Sequence, residues 1–203
     1  AEGVRTVNYS AKDKVDNTEV VKSTVIYVDA TKPATALSVS GDQYNADKQY
    51  ISQRTDIIIT AADPAVNNVA VGVKETKYSV DGGVFANYTL FKLSAEGKRL
   101  VSYYSTDFVA NIETVKTAAL WVDNTPPATE LSIAGARYTA PGDGKLYITG
   151  DSGIVLTSLD SISNDTASGL LLTKYRINNG SWQVYSGSFT IAAEGPHTLE
   201  YYA

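Results

Sequence analysis

The sequence predicts an all-β protein built from repeated two-layer antiparallel sandwiches. Three observations carry that expectation. Apolar and polar residues alternate with a period of two, a block of about 95 residues recurs, and Gly, Asn, Asp and Pro interrupt the chain at short intervals. Leu199 and Tyr201 share the parity of Val101 and Tyr103, and of Val7 and Tyr9, while Thr198, Glu200, Ser102, Thr6 and Asn8 are polar. Such alternation turns one face of a strand inward and the other to water. No stretch keeps a helical period over ten residues.

The repeat sets the organisation. Residues 1–44 align without a gap on residues 95–138, and 22 of the 44 positions are identical. Ala1-Glu2-Gly3 returns as Ala95-Glu96-Gly97 and again as Ala193-Glu194-Gly195. Val28-Asp29-Ala30-Thr31-Lys32-Pro33 returns as Val122-Asp123-Asn124-Thr125-Pro126-Pro127. The Pro-bearing segments at 30–33 and 124–127 read as linkers, because Pro stiffens a connection and cannot sit in a central strand. Cutting there predicts three pieces. Residues 1–29 are the last two strands of a preceding unit, residues 30–123 are a complete unit, and residues 124–203 are a unit without its last strand.

Within the complete unit, strands are expected near 34–39, 55–62, 73–80, 84–88, 89–94, 98–106 and 114–123. Asp56-Ile57-Ile58-Ile59-Thr60 and its counterpart Gly153-Ile154-Val155-Leu156-Thr157 are short β-branched runs of the kind that become buried strands. Lys77 to Val80, then Asp81-Gly82-Gly83, then Val84 to Tyr88, reads as a hairpin whose turn residues accept positive φ. The same hairpin recurs as Lys174-Tyr175-Arg176-Ile177-Asn178-Asn179-Gly180. Short strands at this spacing argue for a β-sandwich.

Composition narrows function by exclusion. The 203 residues hold no Cys, a single His and a net charge of −5. Disulfides, thiolate zinc sites and Cys nucleophiles are therefore excluded, as is any multi-His metal cluster. An acidic chain is poorly suited to nucleic acid, which rewards clustered Lys and Arg. No apolar run approaches the roughly 18 residues of a membrane span, and no signal-peptide pattern is present. Common catalytic bases and nucleophiles are so scarce that an enzyme is not expected. The richness in Thr, Ser, Asn and Tyr fits an extracellular or cell-surface β protein.

Glu194-Gly195-Pro196-His197-Thr198 and Tyr201-Tyr202, followed in the earlier copies by Asp107 and Asn111, then by the Val-Asp-x-Thr-x-Pro linker and the Lys-Tyr hairpin, form a composite motif. It resembles the tandem bacterial Ig-like repeats of large surface and secreted proteins. The resemblance covers essentially the whole chain. It implies tandem immunoglobulin-like antiparallel β-sandwich domains in an elongated array, as found in stalks, adhesins and accessory modules of secreted enzymes. In that family a Gly usually precedes the Asn of the turn before the last strand. Here Asp16 precedes Asn17 and Ala110 precedes Asn111, so the left-handed position is expected to fall to Asn.

On an immunoglobulin-like order, five oxygen-bearing side chains gather at the first junction. Asp29 arrives with the linker, Asp63 ends a strand, and Asp107, Asn111 and Glu113 line the turn before the last strand. Calcium takes six to eight hard oxygen ligands with flexible geometry, so this donor set fits it better than magnesium, which insists on an octahedron. The competing reading is plain turn and linker chemistry, in which Asp and Asn bond their own backbone. Asp123 and Asp160 would begin an equivalent second junction.

Tyr27, Trp121, Phe85, Trp182, Tyr88 and Tyr185 fall along expected strands and read chiefly as core and cross-strand packing. Tyr104 and Tyr202 have outward parity and are the candidate ligand-binding pair for a glycan. His197 occupies the slot of Arg5 and Arg99, a polar strand-edge position. The expected function is a non-catalytic stalk segment or fibre subunit. The alternative is an adhesin or carbohydrate-binding module that contacts glycan or a host protein through its loops and exposed Tyr. Expected partners are neighbouring repeats of the same chain or head-to-tail copies of itself. The unit without its last strand would present an open edge, either because the chain is an excerpt of a longer array or because another subunit completes it.

Overall fold

The computed structural model describes residues 2–203; Ala1, which opens the first copy of the repeat, lies outside them. All regular structure among the described residues is strand, and no helix is long and apolar enough to cross a membrane. The chain divides into two compact units, one ending at Val122 and one beginning at Asp123.

The first unit opens with a two-stranded antiparallel hairpin, β1 (Gly3–Tyr9) and β2 (Lys22–Val28). There follow β3 (Ala34–Ser40), β4 (Gln43–Asn45), β5 (Gln49–Ile51), β6 (Asp56–Ala62), β7 (Val73–Val80), β8 (Ala86–Asn87), β9 (Phe91–Lys92), β10 (Gly97–Asp107) and β11 (Lys116–Val122). They form a six-stranded sheet in the order β4-β5-β11-β10-β7-β8 and a three-stranded sheet in the order β3-β6-β9. Ile57 and Ile59 of β6 meet Ile51, Val101, Tyr103, Leu120 and Val122 of the larger sheet, with Leu93, in one buried cluster. The period-two pattern is the cause: Val101 and Tyr103 enter the core while Ser102 and Tyr104 face away. Each such aliphatic side chain contributes about 1.5–3 kcal/mol when fully buried.

The second unit contains β12 (Ala128–Ala134), β13 (Arg137–Thr139), β14 (Leu146–Ile148), β15 (Gly153–Leu159), β16 (Lys174–Ile177), β17 (Gln183–Val184) and β18 (Leu199–Tyr202). Its pairings recur at the offsets of the sequence repeat. Ala34↔Ala62 in β3/β6 has the counterpart Ala128↔Leu159 in β12/β15, and Tyr104↔Lys77 in β10/β7 has Tyr202↔Lys174 in β18/β16. The β1/β2 register, from Gly3↔Val28 to Tyr9↔Lys22, matches that of β10/β11, from Gly97↔Val122 to Tyr103↔Lys116.

Two differences from the sequence reading have local causes. The stretches 84–88 and 89–94 contract to the two-residue strands β8 and β9, while β4/β5 and β13/β14 are extra hairpins of three-residue strands, too short to show alternation. The left-handed residue in the turn before the last strand is Asp16 (φ 72°) or Ala110 (φ 68°), the residue before the Asn rather than the Asn itself. The Asn is needed elsewhere, since Asn17 and Asn111 tie the turn together with their side-chain amides. An Ala at positive φ is strained by about 1 kcal/mol, which Gly would relieve. Ala110→Gly is therefore expected to stabilise the protein by about 0.5–1 kcal/mol, seen as a higher urea midpoint at unchanged m-value.

Candidate metal centre

Three carboxylates from three separate segments converge in the first unit. Asp29 follows β2, Asp63 follows β6 and Asp107 ends β10. One oxygen from each lies within 4.8 Å of the others. Asp107 is fully buried, while Asp29 and Asp63 are half-buried.

Each carboxylate is held by backbone amides. Asp29 accepts from Thr31 N through Oδ1 (3.0 Å) and from Val71 N through Oδ2 (2.8 Å). Asp63 Oδ2 accepts from Gly72 N at 2.7 Å, and its Oδ1 is buried with no hydrogen-bond partner. Asp107 Oδ1 accepts from Val109 N (2.9 Å) and Asn111 N (2.8 Å), and Oδ2 from Asn111 Nδ2 (2.6 Å). Among the described residues, no ion pair involves any of the three. Like charges this close repel by about 4 kcal/mol per pair near a protein surface.

The five expected donors separate into two groups. Asn111 joins the cluster but turns its amide nitrogen inward, donating to Asp107 Oδ2 and, at 3.3 Å, to the Asp29 carbonyl. Glu113 lies outside the group of three. Its Oε1 takes Thr35 N (3.0 Å) and Lys116 Nζ (2.6 Å), while Oε2 is buried without a partner. Thr35 also reaches Ser105 Oγ at 2.9 Å, so Glu113 belongs to a polar clamp joining β3 to β10.

Sequence reasoning missed the amides of Val71 and Gly72. The signal is Asn67-Asn68, which holds two successive left-handed residues and recurs as Asn164-Asp165. That tight turn folds the chain after β6 back onto the two aspartates. Asn67 also donates to the Glu2 carbonyl, 3.2 Å away, and its Cβ would lie 3.1 Å from a Cβ at Gly3.

The second unit repeats part of this arrangement. Asp123 accepts from Thr125 N (3.2 Å) and Ser168 N (2.6 Å), and Asp160 Oδ2 accepts from Gly169 N (2.7 Å). Asp160 Oδ1 is buried and unpartnered, like Asp63 Oδ1.

The aromatic residues follow parity. Tyr88 packs against the core beside Tyr78 and Phe91, and Tyr185 against Phe189. Trp121 lies between buried Leu120 and Val122 and so faces outward, under Lys48 and Lys98 at 5.5 Å. Tyr27, Phe85 and Trp182 are exposed rather than core. Tyr104 is half-buried in a T-shaped pair with Phe85 (5.1 Å), and Tyr202 is exposed in the matching pair with Trp182 (4.8 Å). His197 fills its Arg slot as expected: its Nε2 is 2.9 Å from the Ala193 carbonyl, as Arg99 Nε is 3.0 Å from that of Ala95.

No family model and no curated protein matches this chain.

Burial pushes the Glu113 carboxyl upward, but the bonds from Lys116 and Thr35 outweigh it and hold it below its ordinary value of 4.5. A group depressed in the folded state contributes stability above its unfolded value and loses it as pH falls. Wild-type stability is expected to decline below about pH 4.5 more steeply than that of Glu113→Gln, and urea midpoints measured across that range check it.

Proposed function

We propose that this chain is a non-catalytic structural segment of a bacterial surface or secreted protein, a stalk piece or fibre subunit built of tandem Ig-like units. In this reading Asp29, Asp63 and Asp107 hold a calcium ion. The observation that carries it is the convergence of three carboxylates, offset by no basic group among the described residues, with the Asp63 Oδ1 buried and unpartnered. Oxygens bound to one Ca²⁺ at 2.3–2.6 Å lie up to about 5 Å apart, which accommodates the 4.8 Å spread. The ion would tie the end of the β1/β2 hairpin to the ends of β6 and β10. A stalk gains from that, because a tethered hairpin transmits force without swivelling. The glycan- or host-binding alternative draws on one feature, the recurrence of the outward Phe85–Tyr104 and Trp182–Tyr202 pairs.

Calorimetric titration tests the calcium reading. Binding is expected in the roughly 10⁻⁴–10⁻³ M range of extracellular modules. At a hundredfold excess over Kd it would add about 2.7 kcal/mol to stability. Asp63→Asn should abolish both heat and thermal shift, yet leave the calcium-free protein as stable as before or more so, because a like charge is removed. Absence of heat from the wild type ends the reading. Retention of the second reading would require a glycan array to show binding that Tyr104→Ala or Tyr202→Ala removes.

A further inference from the structure

A single row of side chains crosses the outer face of the larger sheet in the first unit. The register pairs Tyr44 with Tyr50, Tyr50 with Trp121 and Trp121 with Lys98, so one residue from each of β4, β5, β11 and β10 stands in line. Parity turns the row away from the core, because Ile51, Leu120, Val122 and Val101 hold the inward positions of these strands. Tyr44 and Tyr50 stack with ring centres 6.2 Å apart and planes inclined by 24°. Tyr50 is only 9% exposed between its two neighbours in the row, whereas Tyr44 is 55% exposed and Trp121 is half-buried. The row therefore offers two partly open rings with a buried ring supporting them from between.

Two cations border the indole. Lys48 Nζ and Lys98 Nζ each lie 5.5 Å from its ring centre. Cation–π attraction at an exposed site is worth about 0.5–1 kcal/mol, enough to hold an ammonium group near the ring and too little to keep it from an anion. Among the described residues neither lysine joins an ion pair, although Asp and Glu outnumber Lys and Arg by 22 to 17 in the chain. The rows beside this one are Ala119–Leu100 and Thr117–Ser102, whose hydroxyls bond at 3.0 Å. The rings thus form a ridge one side chain wide and about 14 Å long, three strand spacings of about 4.8 Å. A protein partner needs roughly 800 Å² on each side, more than such a ridge supplies. A single file of pyranose rings fits it, each C–H face against a ring. The tyrosine pair recurs as Tyr138–Tyr147 at 6.2 Å, with Lys145 two positions before Tyr147 as Lys48 is before Tyr50.

We infer that the Tyr44–Tyr50–Trp121 row is a binding platform for an acidic glycan, a linear saccharide whose rings bear carboxylates. Tyr44 and Trp121 stack on the sugar rings, Tyr50 keeps the two in line, and Lys48 and Lys98 receive carboxylates at the Trp121 end. The aromatic faces accept any pyranose, and the two ammonium groups select the charged one. The platform shares no residue with the aspartate cluster or with the Phe85–Tyr104 pair, so it stands independently of both readings of function given above.

Titration of the full chain with an oligogalacturonate, in calcium-free buffer, tests the platform apart from the aspartate cluster. Calorimetry is expected to show binding that weakens as salt screens the lysines, and the NMR signal of the Trp121 indole N–H should move with it. An uncharged oligosaccharide of the same length should bind about tenfold more weakly. Lys48→Gln/Lys98→Gln should erase that difference and leave the circular dichroism spectrum unchanged. Tyr44→Ala, at an exposed position, should weaken the binding of both saccharides. No heat with the oligogalacturonate, equal affinity for the uncharged oligomer, or polyglutamate bound as tightly as the saccharide overturns the inference. Binding that Tyr104→Ala removes and Lys48→Gln/Lys98→Gln spares belongs to the other aromatic pair and overturns it as well.

Discussion

A strand in the interior of a sheet has two edges, and each exposes N–H and C=O groups that must find partners. β11 meets that demand on both sides, with β10 along seven residue pairs and with β5 along two. Its alternation then directs Leu120 and Val122 into the space facing Ile57 and Ile59. Everything else in the first unit follows from that insertion. It joins the β4/β5 hairpin to the main sheet, closes the core, and sets the preceding turn where Asp107 reaches Asp29 and Asp63.

That turn is a local device. The segment Asp13–Asn17 adopts the same bonds as Asp107–Asn111, although its side chains are exposed and those around Asp107 are partly buried. An Asp that accepts three bonds from residues two and four positions on needs no tertiary help. Its carboxyl is held low by the Asn17 side chain above all, then by the Asn17 and Val15 amides. At Asp13 the turn therefore presents a charged carboxylate at ordinary pH. What differs is the company it meets: in one place two further aspartates, in the other solvent.

The polar clamp below the turn shows the cost of that design. Glu113, Lys116, Thr35 and Ser105 exchange bonds inside the sandwich, and Thr76 joins through Ser105 at 2.8 Å. A buried network of this kind specifies one alignment of the two sheets, because any slip strands a charged group without partners. It also fixes β3, the strand that follows the Pro33 linker, against the end of β10. Glu113 thus acts as a structural acid apart from the three converging aspartates, although residue type alone groups it with them.

The sequence by itself determined the all-β class, the strand parity and the hairpin turns, because each rests on residues a few positions apart, and it displays the repeat offsets directly. An immunoglobulin-like strand order set Asp29, Asp63, Asp107, Asn111 and Glu113 at one junction, and of these five the three aspartates converge. Only the tertiary structure decided that Asn111 offers nitrogen, that Glu113 is held by Lys116 and Thr35, and that the Val71 and Gly72 amides complete the cradle. It also decided that Tyr27, Phe85 and Trp182 lie outside the core. The physical reason is chiefly one of range: Asp29 meets Val71 (|i−j| = 42), Thr35 meets Glu113 (|i−j| = 78) and Asn111 meets Asp29 (|i−j| = 82), and no local pattern encodes these meetings.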